Sequence, residues 1–206
     1  MFVFKETHPS PVFISPHLSL TNDHLQIGFA VNQGNAYIYE YDGNNYTLSQ
    51  NISDTYKLSA WNYLHLTEDH QFMSIAGGNG NFVKLYSSNG SEFVPLTKNG
   101  TVSYPLYYAV YSSFSKDQEY FGVTFDQGST CIYRNTTRDN MTLESTVAGK
   151  YYHRFSDDSK YLVTAMYGEA RVYFNPQKCV LSNCILCSDS ECFQCTPNYF
   201  ISSNVC

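Results

Sequence analysis

Four times along this chain a leucine or phenylalanine is followed by serine or threonine, one variable residue and an aspartate. The stretches are Leu20-Thr21-Asn22-Asp23, Leu66-Thr67-Glu68-Asp69, Phe114-Ser115-Lys116-Asp117 and Phe155-Ser156-Asp157-Asp158. The aspartates recur at intervals of roughly 41–48 residues. At that period each repeat is one supersecondary unit, too small to bury its own faces, and the units must stack on one another.

The agreement continues downstream of each aspartate. An apolar, β-rich segment follows: Leu25-Gln26-Ile27-Gly28-Phe29, Phe72-Met73-Ser74-Ile75, Tyr120-Phe121-Gly122-Val123 and Tyr161-Leu162-Val163-Thr164. Next come Gly34, Gly80, Gly128 and Gly168, then a tyrosine in a short alternating run: Tyr39, Tyr86, Tyr133 and Tyr173. This order reads as one antiparallel sheet per repeat. Strand A ends at the Leu or Phe, and the Asp closes a turn by accepting from backbone amides ahead of it. Strand B follows, the glycine marks a hairpin that favours positive φ, and strand C carries the tyrosine. A fourth strand, D, is expected at 46–48, 92–96 and 141–144. Aromatic residues make up 17% of the chain, which favours strands, and no segment keeps a helical period.

The strand order, the Ser-x-Asp turn and the Gly…Tyr spacing resemble WD-repeat and related β-propellers, whose blades are of this length. The resemblance covers roughly residues 12–174. The family's signature histidine and Trp-Asp dipeptide are absent, and the single Trp61 precedes a strand A. The resemblance implies an all-β propeller of four four-stranded antiparallel blades, at about 12–51, 60–100, 107–147 and 150–174. A β-sandwich is the other architecture that spaced short strands suit. The fourth repeat runs through Ala170-Arg171-Val172-Tyr173-Phe174, then meets Asn175-Pro176 with no strand D in view. Phe2-Val3-Phe4-Lys5 reads as a spare strand that could close this blade, its own or a neighbour's. The propeller domain is thus expected at 1–176 and a cysteine-rich module at 177–206.

Six of the seven cysteines lie in the final stretch, at Cys179, Cys184, Cys187, Cys192, Cys195 and Cys206. The segment has too few large aliphatics for a core, and cross-links are the usual substitute. Zinc is less suited: the two C-x2-C pairs stand too close for the usual ribbon and no histidine lies among them. The run from Cys184 to Cys206, with Thr196-Pro197-Asn198-Tyr199-Phe200 after the second pair, resembles furin-like, growth-factor-receptor-type cysteine-rich modules, notably those of protist (ciliate) surface proteins. That resemblance implies bridges Cys184–Cys192 and Cys187–Cys195. Cys179 could pair with Cys206, or Cys206 could begin another module. Cys131, alone in a strand C, reads as a buried free thiol.

Six Asn-x-Ser/Thr sequons occur, at Asn45, Asn51, Asn89, Asn99, Asn135 and Asn140. All fall in or beside the C–D hairpin or strand D, which is the outer edge of a propeller blade, where N-linked glycans would sit in solvent. With the cysteines they imply an extracellular or cell-surface setting. The start, Met1-Phe2-Val3-Phe4-Lys5-Glu6, is too short and soon too polar for a secretory signal, so the chain is expected to be a processed product or a piece of a larger secreted protein.

No apolar run is long enough for a transmembrane helix. The net charge of −6 and the lack of a basic stripe argue against a nucleic-acid partner. No H-E-x-x-H, G-x-S-x-G or phosphate-binding glycine loop is present. The repeated Asp23, Asp69, Asp117 and Asp158 suit a turn role better than a metal or acid–base role, since a site seldom needs four equivalent copies. Two polar columns align in strand A, which lines a propeller's channel: His17, Tyr63, Tyr111 and Tyr152, then Ser19, His65, Ser113 and Arg154. These read chiefly as channel-lining residues. The functional expectation is accordingly a non-enzymatic structural or interaction glycoprotein, self-associating into a head-to-tail filament or binding protein partners, with no catalytic residues, cofactor or metal. A ligand-binding receptor ectodomain is the alternative, and a secreted propeller enzyme a further one.

Overall fold

The computed structural model describes residues 17–21, 23, 25–31, 35–53, 62–77, 81–96, 100–103, 107–137, 140–178, 181, 184–187, 192–195 and 197. The strand expected at 2–5, and Trp61, Asn99, Cys179 and Cys206, lie outside them.

The fold is an all-β propeller of antiparallel blades followed by a small disulfide-bonded hairpin. Blade 1 contains β1 (His17–Leu20), β2 (Gln26–Val31), β3 (Asn35–Tyr41) and β4 (Tyr46–Ser53). Blade 2 contains β5 (Asn62–Leu66), β6 (Phe72–Gly77), β7 (Phe82–Ser88) and a divided outer strand, β8 (Phe93–Pro95) and β9 (Thr101–Ser103), both paired with β7. Blade 3 contains β10 (Ala109–Phe114), β11 (Tyr120–Phe125), β12 (Ser129–Thr137) and β13 (Asn140–Ala148). Blade 4 has three described strands, β14 (Tyr152–Phe155), β15 (Tyr161–Met166) and β16 (Glu169–Phe174). In every blade the strands pair in chain order, A to D. The outer strands β4 and β13 run several residues beyond the expected segments, each with a bulge against strand C.

The A–B turn has the same bonding in all four blades. The Ser or Thr hydroxyl donates to the Asp Oδ1: Thr21 to Asp23 at 2.7 Å, Thr67 to Asp69 at 2.8 Å, Ser115 to Asp117 at 2.6 Å and Ser156 to Asp158 at 2.6 Å. The same carboxylate oxygen accepts the amide two residues on, from Leu25, Gln71, Glu119 and Lys160. The hydroxyl oxygen in turn accepts the first amide of strand B. The residue after the Asp is left-handed where described, at His70, Gln118 and Ser159. These aspartates are therefore spent on the turns. Asp69→Ala is expected to cost about 1 kcal/mol, the usual worth of such an acceptor, and Asp69→Asn less, read as shifts of the urea midpoint at constant slope.

The core lies between blades. Ile38, Ala36, Leu64, Met73, Ile75 and Phe93 pack between blades 1 and 2, and Leu85, Val102, Phe114, Phe121, Phe125 and Met141 between blades 2 and 3. Each strand A rests on strands A and B of the preceding blade. One position of strand B meets one position of the next strand A, and their volumes trade off. Gly28 faces Leu64, whose Cδ2 lies 2.6 Å from where a Cβ on the glycine would sit. Ser74 and Ser112 share a buried 2.9 Å hydrogen bond at the equivalent place. Gly122 leaves room for the His153 imidazole, which a Cβ would overlap. Large and small residues alternate across each interface, as close packing demands.

Beyond blade 4 a short 3-10 turn, Pro176–Lys178, folds back on blade 3. Lys178 Nζ bonds Asp117 and Glu119 at 2.6 Å each, and the Tyr120 hydroxyl donates to Gln177. The terminal hairpin pairs β17 (Cys184–Cys187) with β18 (Cys192–Cys195). A disulfide joins Cys184 to Cys192, and Cys195 is also disulfide-bonded. Cys131 is a buried free thiol. No helix among the described residues is long and apolar enough to cross a membrane.

Candidate functional site

The A strands of blades 2, 3 and 4 and the turns that follow them wall a cavity of about 270 Å³. His65, Ser113 and Arg154, one polar column of the sequence, all reach it, as do Tyr111 and Tyr152 of the other. Ser19 takes no part: its Oγ accepts the Leu66 amide at 3.0 Å and ties blade 1 to blade 2. The His17 side chain lies outside the described residues. Glu68, Lys116 and Asp157 bring charge to the rim, each from the variable position of the turn, in blades 2, 3 and 4.

The tyrosines form a ladder. Tyr63 and Tyr111 have ring centroids 4.4 Å apart, and Tyr111 and Tyr152 4.0 Å apart. Burial pushes the Tyr63 phenol up to about 12 and the Tyr111 phenol upward as well. Both stay protonated at neutral pH and can donate.

The two histidines differ in their bonding. His153 is fully buried and its Nε2 meets Ser113 Oγ at 2.9 Å, while Nδ1 meets Thr124 Oγ1 at 2.7 Å. Thr124 passes the chain to Thr130 Oγ1 at 2.9 Å. Serine, imidazole and a third hydroxyl in line look like a nucleophile, a base and its orienter. Among the described residues no carboxylate backs the imidazole, however, and burial, helped by nearby His65, pushes it down to about 3. Ser74 and Ser112 fill the same interface position one blade earlier. His153 is therefore an interblade tie. His65 is partly open to the cavity, and burial lowers it to about 4. Its buried Nδ1 has no hydrogen-bond partner among the described residues. Arg154 is exposed on the same wall, and none of its side-chain contacts is a hydrogen bond or ion pair among those residues. A neutral imidazole with an unsatisfied nitrogen thus stands by an unneutralised guanidinium, with phenol donors alongside. That set can bind an anion and accept a proton from water. The sequence placed His65 and Arg154 in one column but held no signal that they alone would lack partners.

Of the sequons, Asn51 and Asn140 lie on the outer strands β4 and β13, Asn45 and Asn89 in the turns that lead to outer strands, and Asn135 on β12. Asn45, Asn51 and Asn89 are exposed. Asn135 is half-buried and its Nδ2 donates to the Gln118 carbonyl, and Asn140 Nδ2 donates to Thr136. No group of three or more metal-ligating side chains occurs among the described residues.

No protein-family model and no characterised protein matches the sequence. Solved structures do match the fold. A protein from Lactobacillus plantarum superposes with a TM-score of 0.63 at 15% identity, over 77% of this chain and 50% of its own. A protein of Bacteroides uniformis described as a "putative 6-phosphogluconolactonase" gives 0.63 at 15% identity, over 78% and 51%. A Bacteroides fragilis protein described in the same words gives 0.63 at 16%, over 84% and 55%. The chain spans about half the length of these structures. At this identity the likeness establishes the fold. It also corrects the expectation of a non-enzymatic structural or filament-forming glycoprotein, and that of a receptor ectodomain: two of these three structures are described as putative 6-phosphogluconolactonases.

Proposed function

We propose that this chain is part of a propeller hydrolase that opens a cyclic ester of an acidic sugar in the cavity between blades 2, 3 and 4. The observation that carries this is the pairing of His65, neutral and lining the cavity, with the unneutralised Arg154 on one wall. The names of the Bacteroides proteins support the substrate class. Arg154, with Lys116 at the rim, holds the substrate's anionic group as charge-assisted donors do. Water attacks the ester carbonyl carbon, and His65 takes its proton. The ring C–O bond breaks, and the same proton goes to the departing oxygen, leaving an acid and a hydroxyl group. The reaction consumes one water and requires no redox partner.

The test is hydrolysis of 6-phosphogluconolactone above its spontaneous rate by the full-length protein. His65→Ala is expected to lower kcat about 100-fold, the low end for a general base, and Arg154→Ala to act mainly through KM. Wild-type rates in both variants would remove the proposal.

The repeat is read as WD-like without the Trp-Asp pair, and the terminal segment as a furin-like, growth-factor-receptor-type module, a reading supported by the Cys184–Cys192 bridge across its hairpin. An oxidising, extracytoplasmic location goes with it. Glycans are placed first on Asn45, Asn51 and Asn89, where the amides face solvent. Treatment of native protein with an N-glycosidase is expected to lower its mass and convert these asparagines to aspartates.

A further inference from the structure

Strand C of blades 1, 2 and 3 carries an apolar residue opposite the small residue of strand B: Ile38 opposite Gly28, Leu85 opposite Ser74 and Ile132 opposite Gly122. Ile38 and Leu85 are sealed in the core, whereas Ile132 is only half-buried. With Val147 of blade 3 and Leu162 of blade 4 it lines a second, mostly apolar cavity of about 260 Å³. This cavity shares only Phe155 with the one around His65 and Arg154.

Aromatic rings supply much of the remaining wall. Tyr120 and Phe155 stand with centroids 6.5 Å apart, and Tyr161 and Phe174 5.6 Å apart. Tyr120 already has one cation over its ring, the Lys178 ammonium at 5.7 Å. That ammonium is bonded to Asp117 and Glu119. Two of the cavity's phenols are spent within the protein: Tyr120 donates to Gln177 Oε1, and Tyr173 to the Ala148 carbonyl. The Gln177 amide in turn donates to Glu144, an exposed residue that also lines the cavity. Glu144 is thus held in place by a neutral group, and among the described residues no cation pairs with it.

We propose that this cavity between blades 3 and 4 binds a small organic ammonium ion, with its methyl or methylene groups against the aromatic and aliphatic wall and its charge toward Glu144. Aromatic rings attract a cation through their quadrupole, most strongly where water is excluded, and a quaternary or alkylated ammonium combines that charge with an apolar surface. A wall of four rings with one positioned carboxylate matches both halves of such a ligand. An anion would meet the Glu144 carboxylate with two phenols already committed elsewhere. The volume is below that of the usual site for a drug-sized molecule, which keeps the ligand small. This site stands apart from the proposed hydrolytic one and does not depend on it.

The test is titration of the full chain, labelled at its isoleucine methyl groups, with choline and with dimethylbutanol, in which carbon replaces the quaternary nitrogen. Choline is expected to shift the Ile132 methyl resonance, assigned through Ile132→Val, and to leave those of Ile38 and Ile75 in place. Dimethylbutanol is expected to bind about tenfold more weakly, the loss of one desolvated cation–π contact. Glu144→Gln and Phe174→Leu are each expected to weaken choline by about the same factor. The Glu144 side chain is exposed on an outer strand, so its replacement leaves the fold intact, and the comparison of the two probes is read on the wild-type protein. No shift at Ile132, equal affinity for the uncharged probe, or an unchanged constant in either variant would overturn the proposal.

Discussion

Gly122→Ser is expected to lower stability by about 2–3 kcal/mol, the upper range for overpacking a filled interior. The added atoms would overlap the His153 imidazole, and the ring cannot withdraw, because Ser113 and Thr124 hold its two nitrogens. The Ser74–Ser112 pair shows which combination fits this position with a smaller partner. His153→Ser alone should also destabilise, by opening a void and leaving Thr124 short of a partner. The two changes together recreate the blade 2–3 pair, so their costs should fall short of additivity by at least about 1 kcal/mol, as for residues in direct contact. Urea midpoints of the four proteins measure this. Strict additivity would mean that the two side chains do not compete for one space.

Acidification is expected to destabilise the fold from about pH 6.5 downward, well before most carboxylates titrate. His153 is held down to about 3 in the folded state, whereas in the unfolded chain it returns to about 6.5. Between those values the unfolded state binds the additional proton. Stability therefore rises with pH across the window, is fully present above about 6.5, and is lost as the pH falls toward the folded value. The slope from one such group is at most about 1.4 kcal/mol per pH unit. His65, lowered to about 4, adds in the same direction. Carboxylates whose pKa is lowered by turn hydrogen bonds, Asp23 to about 2 by the Leu25 amide and the Thr21 hydroxyl, add their loss only at lower pH. The check is the urea midpoint at several pH values from 8 to 4, for wild type and His153→Gln. The variant's profile should be flatter between pH 6.5 and 5. Parallel profiles would place the buried proton elsewhere.

The candidate site was half legible. The column of Ser19, His65, Ser113 and Arg154 follows from the repeat alignment, because equivalent positions in strand A face the same way. Its division of labour does not follow. Ser19 is taken by a backbone amide across an interface, Ser113 by an imidazole from the next blade, and only His65 and Arg154 are left for a ligand. Each outcome depends on what the neighbouring blade presents, and that neighbour is some forty residues away. The reading of the chain as non-enzymatic rested on the absence of a local motif, and the likeness to structures described as putative 6-phosphogluconolactonases runs against it.

By itself the amino-acid order determined the strand sequence, the four blades and their A–B turns. These rest on local chemistry: side-chain alternation, and a hydroxyl and a carboxylate two residues apart that bond the backbone between them. Tertiary structure alone decided which small residue receives which large one, as at Gly122 and His153, and which polar groups stay unsatisfied. Such matters are settled by volume and hydrogen-bond competition across the interfaces between blades, where contacting residues share no local pattern. The fourfold turn that organises the chain therefore sets the frame, and the packing between repeats sets what the frame can do.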